Sequence, residues 1–284
     1  MKLNPKYLRL IALTAISTLT AQVAHAETNL LNEDFSDGDR TTQNLPDSST
    51  WYLRGNATSF DVSGNDLVLT SSEQTLNLVT YFTDVGAPYA LQVGETLSVN
   101  MSVQLSEVND TGIRFGVFNS NNSQITGSAS NFQSSSFNGY DGYSAWFNPS
   151  ASSDSYDLYE RIGTSDAIFA SSSSVNEQLG ASNASTIGMF ADTSANLMLS
   201  IERTVSGLTI VSSVNGYELT RSDADPDTFS FDTIAIQLSS SSLSNGETFS
   251  IENVSVSVIP EPSSFSFIMG ASVLCLFLRR GVRR

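Results

Sequence analysis

The chain has 284 residues, with 13 basic and 29 acidic side chains, one histidine and one cysteine. His25 and Cys275 lie near the two ends, and residues 27–258 hold six arginines and no lysine against 28 carboxylates, a net charge of −22. So acidic a body excludes nucleic-acid binding through phosphate contacts, and the lack of imidazole, thiol and amine side chains removes most nucleophilic and zinc chemistry. The first segment, Met1 to Ala26, has Lys2, Lys6 and Arg9, then the apolar run Leu10 to Leu19, then the small-x-small site Ala24-His25-Ala26 ahead of Glu27. This order reads as a secretory signal peptide removed by signal peptidase, with an apolar run too short to span a bilayer core of about 30 Å.

From 27 to 258 the chain is rich in Ser, Gly, Asn and Thr and carries no helix-length amphipathic period. Short alternating segments recur instead, each bounded by turn residues, which predicts strands. In order they are Leu67–Thr70 after a Gly64-Asn65 turn, Leu76–Phe82, Thr96–Leu105, Ile113–Phe118, and the pair Tyr143–Phe147 and Tyr156–Ile162. Ile187–Phe190, Leu197–Thr204, Leu208–Val214, Tyr217–Arg221, Phe229–Leu238 and Thr248–Val258 follow. Val205-Ser206-Gly207 and Asn215-Gly216 are hairpin turns, Asn-Gly being a strong signal for one. Ser120–Ser136 and Ser171–Ser174 are low-complexity and are expected to form loops at the rim. About a dozen short strands with frequent turns specify an all-β body, a β-sandwich or jelly roll, occupying 27–258 as one domain.

The last 26 residues, 259–284, contain Pro260-Glu261-Pro262, a mostly apolar stretch from Phe265 to Leu278, and the basic pairs Arg279-Arg280 and Arg283-Arg284. Read physically, this is a single hydrophobic membrane helix with its positive end on the cytoplasmic side. The three parts in this order resemble the PEP-CTERM sorting signal of Gram-negative bacteria. The resemblance implies an exported protein held at the inner membrane by its C-terminal helix, processed by an exosortase, and delivered to the outer envelope or extracellular matrix. The body in turn resembles concanavalin-A-like, laminin-G-like jelly rolls. The residues that carry this are Asp34-Phe35-Ser36-Asp37-Gly38-Asp39, Arg114-Phe115-Gly116-Val117-Phe118, Ile201-Glu202-Arg203, Gly207-Leu208-Thr209-Ile210, Val214-Asn215-Gly216 and Ile251-Glu252-Asn253-Val254. Such folds host lectins, carbohydrate-binding modules, glycosidases and adhesion domains, so the function has to come from the site.

Three constellations deserve weighing. Asp34, Asp37 and Asp39 sit at the first turn and Glu252 on the last strand; if the terminal strands pair, these oxygens would suit a structural Ca²⁺, against the plainer reading of a solvated Asx turn. The resemblance implies such a calcium, with Glu252 replacing the more usual aspartate. Tyr140, Tyr143, Trp146, Phe147, Tyr156 and Tyr159 fall close together, as stacking platforms for sugar rings or as core. Asp141, Asn148, Glu160 and Arg161 are the polar partners of a sugar-binding reading, and Trp51-Tyr52 is a second aromatic candidate. For catalysis, glycoside hydrolysis needs two carboxylates, but Glu107 with Asp110 and Asp157 with Glu160 are spaced i, i+3, which puts each pair on opposite faces of a strand. Asp223, Asp225 and Asp227 read as a solvated turn. The expected protein is not an enzyme: an exported carbohydrate-binding module acting on extracellular polysaccharide. The alternatives are a structural matrix protein without a ligand site and, more remotely, a glycoside hydrolase.

Overall fold

The computed structural model describes residues 26–109, 112–149, 155–183 and 187–260. The leader through His25, Asp110, and the tail from Glu261 to Arg284 lie outside them, so the expected signal peptide, the expected membrane segment and the Arg279-Arg280 pair fall outside the described residues. Among the described residues no helix is long and apolar enough to cross a membrane.

In chain order the strands are β1 (Thr28–Glu33), β2 (Trp51–Arg54), β3 (Ser59–Ser63), β4 (Asp66–Thr70), β5 (Leu76–Tyr81), β6 (Tyr89–Ala90), β7 (Glu95–Leu105), β8 (Ile113–Asn119) and β9 (Asp141–Phe147). They continue as β10 (Ser155–Arg161), β11 (Asn176–Asn183), β12 (Ala195–Thr204), β13 (Gly207–Val214), β14 (Tyr217–Asp223), β15 (Ser230–Phe231), β16 (Thr233–Leu238) and β17 (Thr248–Pro260). They form two large sheets. One has the order β14-β13-β12-β7-β17-β4-β3 with β1 added on β17; the other has the order β11-β10-β9-β8-β16-β5-β2, and β6 and β15 make a small ribbon. This is the expected all-β sandwich.

Alternation builds its core. On β7, Leu97, Val99, Met101, Val103 and Leu105 are at most 2 % exposed, while Asn100 between them faces solvent. They meet Leu197, Leu199 and Ile201 of β12 and, from the other sheet, Ile113, Phe115, Val117, Ile234 and Ile236. Each such side chain contributes about 1.5–3 kcal/mol by leaving water. The hairpin between β13 and β14 turns on Asn215 and Gly216, with φ of 49° and 80°, the left-handed pair that a two-residue turn requires. Arg221 of β14 reaches β11 in the other sheet, its Nη2 donating to the Ala181 carbonyl at 2.7 Å. A side chain at Gly180 would collide with that guanidinium, its Cβ lying 1.8 Å from Arg221 Nε.

The architecture departs from the sequence expectation in four places. Ile187–Phe190 is irregular rather than a strand. The Phe229–Leu238 run breaks into β15 and β16 at Asp232, whose buried carboxylate accepts from the Ser120 amide at 2.8 Å and from the Thr233 hydroxyl at 2.5 Å. β1, β2, β3, β6 and β11 had no clear signal, being short or interrupted by polar residues. The Ser/Asn-rich segment 120–136 is not a rim loop. It runs over the outer face of the seven-stranded sheet, where Ile125 and Phe137 join Val79, Tyr81, Phe118, Tyr140, Ile168, Phe169 and Ala235 in a second apolar cluster. That is why all six residues of β5 are buried: the strand has a core on both sides.

One residue holds this outer cover in place. Arg161, 1 % exposed, donates through Nε to Tyr140 O (2.7 Å), through Nη1 to Ala167 O (2.9 Å) and Ile168 O (3.0 Å), and through Nη2 to Phe137 O (2.7 Å) and Ser165 O (2.8 Å). Five carbonyls from two loops thus converge on one guanidinium, whose fork of donors suits this arrangement. Burial lowers its pKa to about 10, so it stays charged at neutral pH.

Candidate functional site: a cleft on the outer face of the seven-stranded sheet

The register across this sheet sets one transverse row of outward residues: Arg54, Asn77, Gln237, Arg114, Trp146 and Asp157, each opposite the next on the neighbouring strand. The row is closed at one end. Gln237 donates to Asn77 Oδ1 at 2.9 Å, and Asn77 donates to the Phe132 carbonyl at 2.9 Å, beneath the cover. At the other end Arg114, Trp146 and Asp157 line an open cleft of about 220 Å³ together with Gly112, Phe147, Asn148 and Ser239.

The cleft is polar and pre-ordered. Arg114 Nη1 donates to the Phe169 carbonyl at 2.7 Å, which ties the cleft to the cover. Its guanidinium carbon lies 3.9 Å from the Trp146 ring centre, a cation–π contact. Tyr159 packs against Trp146 with ring centres 4.1 Å apart. Trp146 Nε1 donates to Ser144 Oγ at 2.9 Å. The indole is therefore contacted by both Arg114 and Tyr159. Asp157 Oδ1 accepts from Gln178 Nε2 at 2.9 Å. Burial lowers the Arg114 pKa and raises that of Tyr159.

The six clustered aromatic candidates separate cleanly, Phe147 belonging to the core at 1 % exposure. Trp146 and Tyr159 are half-buried on the outer face. Tyr140, Tyr143 and Tyr156 are 0 % exposed, which corrects the sugar-facing reading for all three. Tyr140 belongs to the outer cover, its hydroxyl 2.8 Å from that of Tyr81. Tyr143 and Tyr156 point into the sandwich, the latter donating to Ser212 Oγ at 2.5 Å. Trp51 is likewise core, 0 % exposed against Phe35. Among the proposed polar partners, Asn148 lines the cleft, whereas Arg161 is spent on five carbonyls and Glu160 is buried on the inner face. Asp141 accepts from Asn121 Nδ2 at 2.7 Å, away from the residues lining the cleft.

The expected calcium corner does not assemble. β1 does pair with β17, with Glu33 opposite Val254. β17, however, pairs with β4 through Ile251 and with β1 only from Val254 onward, and its inward side chains change parity between Ile251 and Val254. Glu252 sits at this bulge and turns to Ser102 Oγ (2.6 Å) and to the Ser194 hydroxyl. Asp34 and Asp39 instead bind their own turn, Asp34 accepting from the Ser36 amide and Asp39 from the Thr41 amide and hydroxyl; Asp37 accepts from the Asp39 amide. Those bonds, led by the Thr41 hydroxyl, bring the Asp39 pKa down to about 2. Among the described residues no group of three or more acids, histidines or cysteines is placed to hold a metal. The carboxylate that matters in this region is Glu33, 2 % exposed, which accepts from the amides of Phe35 and Ser49 at 2.9 Å each and fastens the long β1–β2 connection.

Asp157 and Glu160 do face opposite ways, and Glu107 is bound to Ser244 and Asn109. Asp157 is the one carboxylate among the described residues that line the cleft. Sequence reasoning had named Trp146, Tyr159 and Asn148 for the sugar site but not Arg114 or Asp157. The signal was present, because both alternate with core residues and so must face outward.

Comparison with known proteins bears on the fold. No family model matches the chain, and no curated protein matches it. Among solved structures, the endo-1,3-beta-glucanase from Streptomyces sioyaensis superposes with a TM-score of 0.52 at 12 % identity, over 83 % of this chain and 98 % of that one. A Bacillus subtilis protein of unknown function with a galectin-like fold gives a TM-score of 0.50 at 10 % identity, over 82 % and 98 %. The body thus shares its two-sheet β-sandwich fold with these two proteins.

Proposed function

We propose that this is an exported, non-catalytic carbohydrate-binding protein of the cell envelope or extracellular matrix. The observation that carries the binding reading is the open cleft in which Trp146, Arg114, Asn148 and Asp157 converge on a sheet face otherwise covered by loops. A donor, an acceptor and an amide beside an aromatic edge match the hydroxyls and apolar patches of a sugar. The net charge of −22 on the body favours a neutral glycan. Among the described residues Asp157 is the one carboxylate lining the cleft, which favours binding over hydrolysis by a carboxylate pair. The leader and the Pro260-Glu261-Pro262 tail support export followed by exosortase sorting.

A second reading, a structural matrix protein without a ligand site, is favoured by one observation: Trp146 already packs against Arg114 and Tyr159. The test is binding of the purified chain to a panel of neutral and acidic polysaccharides. Saturable binding to one glycan class is expected, weakened at least about tenfold, roughly 1.4 kcal/mol, by Asp157→Asn and by Trp146→Ala with the circular dichroism unchanged. No binding to any glycan sinks the module reading and leaves the matrix one.

A further inference from the structure

On β10, Glu160 faces the sandwich interior, 4 % exposed. Across from it, at the end of β14 in the other sheet, is Asp223, 8 % exposed. Between them stands the hydroxyl of Tyr143 on β9. It donates to Asp223 Oδ2 at 2.6 Å and lies 3.4 Å from Glu160 Oε1. The same Glu160 oxygen accepts the Asp227 amide at 2.9 Å, and Asp223 Oδ1 accepts the Asp225 amide at 3.0 Å. One phenol proton therefore serves two buried carboxylates that come from different sheets.

Among the described residues the groups around the two carboxylates are acidic, and the nearby arginines donate to carbonyls. Glu177 on β11 is opposite Glu160 in register. Asp225 and Asp227 follow in the next turn, and Asp141 at the start of β9 is within electrostatic reach of Asp227. Arg161 projects from the other face of β10 to its five carbonyls. Arg221, two residues before Asp223, donates to the carbonyls of Thr220 and Ala181. The ring of Phe231 packs against Tyr143 with centres 6.2 Å apart. Two like charges in such a place cannot both ionise without cost. Burial, opposed by the Asp227 amide and reinforced by the charges of Asp223 and Asp227, pushes the Glu160 pKa up to about 7.

We propose that Glu160, Tyr143 and Asp223 form a proton-dependent clasp between the two sheets, closed while Glu160 carries a proton and loosened when it ionises. An acid whose pKa is raised by folding stabilises the fold fully below its unfolded value of 4.5, and that stability is lost as pH rises through about 7. The clasp is therefore closed in mildly acidic surroundings and open in alkaline ones.

The test is urea unfolding of the full chain from pH 5 to pH 9, alongside Glu160→Gln, whose amide mimics the protonated acid. The midpoint of the parent protein is expected to fall relative to that of the variant as pH rises toward 7 and to level off above it. Parallel pH profiles for the two proteins overturn the clasp. Should Glu160→Gln fail to fold, Asp223→Asn decides the same question: the levelling-off moves to lower pH if the two carboxylates are coupled, and an unmoved or absent levelling-off overturns the proposal.

Discussion

Replacing Arg161 with methionine removes the guanidinium that gathers five carbonyls while keeping a side chain of similar length. Hydrogen bonds to a charged group contribute about 1.5 kcal/mol each at the low end, so five of them amount to about 7.5 kcal/mol. Against this stands the cost of keeping an arginine 1 % exposed, several kcal/mol, which methionine does not carry. The net loss expected is about 3 kcal/mol. It falls on the loops 134–140 and 163–170 rather than on the sandwich, because the carbonyls that lose their donor belong to those loops alone. Hydrogen exchange read by mass spectrometry measures this directly. Amides such as Ser134, which donates to the Asp166 carbonyl at 2.7 Å, should exchange roughly a hundredfold faster, while the β7 and β12 amides keep their protection. Arg161→Lys should behave like the methionine variant, since one ammonium cannot reach five carbonyls. Unchanged exchange in both loops would refute the reasoning, as would equal loss across the whole molecule.

Two further outcomes follow. Gly142→Ala should destabilise by roughly 3 kcal/mol in urea unfolding, because its φ is 151° and an added Cβ would lie 2.3 Å from the Val117 carbonyl oxygen; Gly127→Ala, with nothing within 4 Å, is the near-neutral control, and equal effects at the two sites contradict the steric account. Replacing Pro260-Glu261-Pro262 with alanines should leave the protein in the inner-membrane fraction of its cell, and unaltered delivery to the outer envelope or medium would reject the sorting reading.

The strand periods, the hairpin turns and the all-β class were legible because a period of two reports directly on which side chains share a face. The net charge and the absence of imidazole and thiol groups from the body are properties of composition and need no coordinates. Alternation also separates Trp146 and Tyr159 from Phe147 and Tyr156, although clustering along the chain hid that division. What alternation cannot show is whether a face meets water or another part of the chain. Tyr140 reads like its neighbours in sequence, but Ile125 of the 120–136 segment and Phe137 just beyond it pack with it on the outer face of the sheet. Such contacts join residues far apart in sequence, and no local pattern encodes them. The same holds for Glu252, turned away from Asp34 by the bulge where β17 changes partners, and for Glu160 and Asp223. These last two are 63 positions apart, share one phenol proton, and owe their meeting wholly to the packing of one sheet on the other.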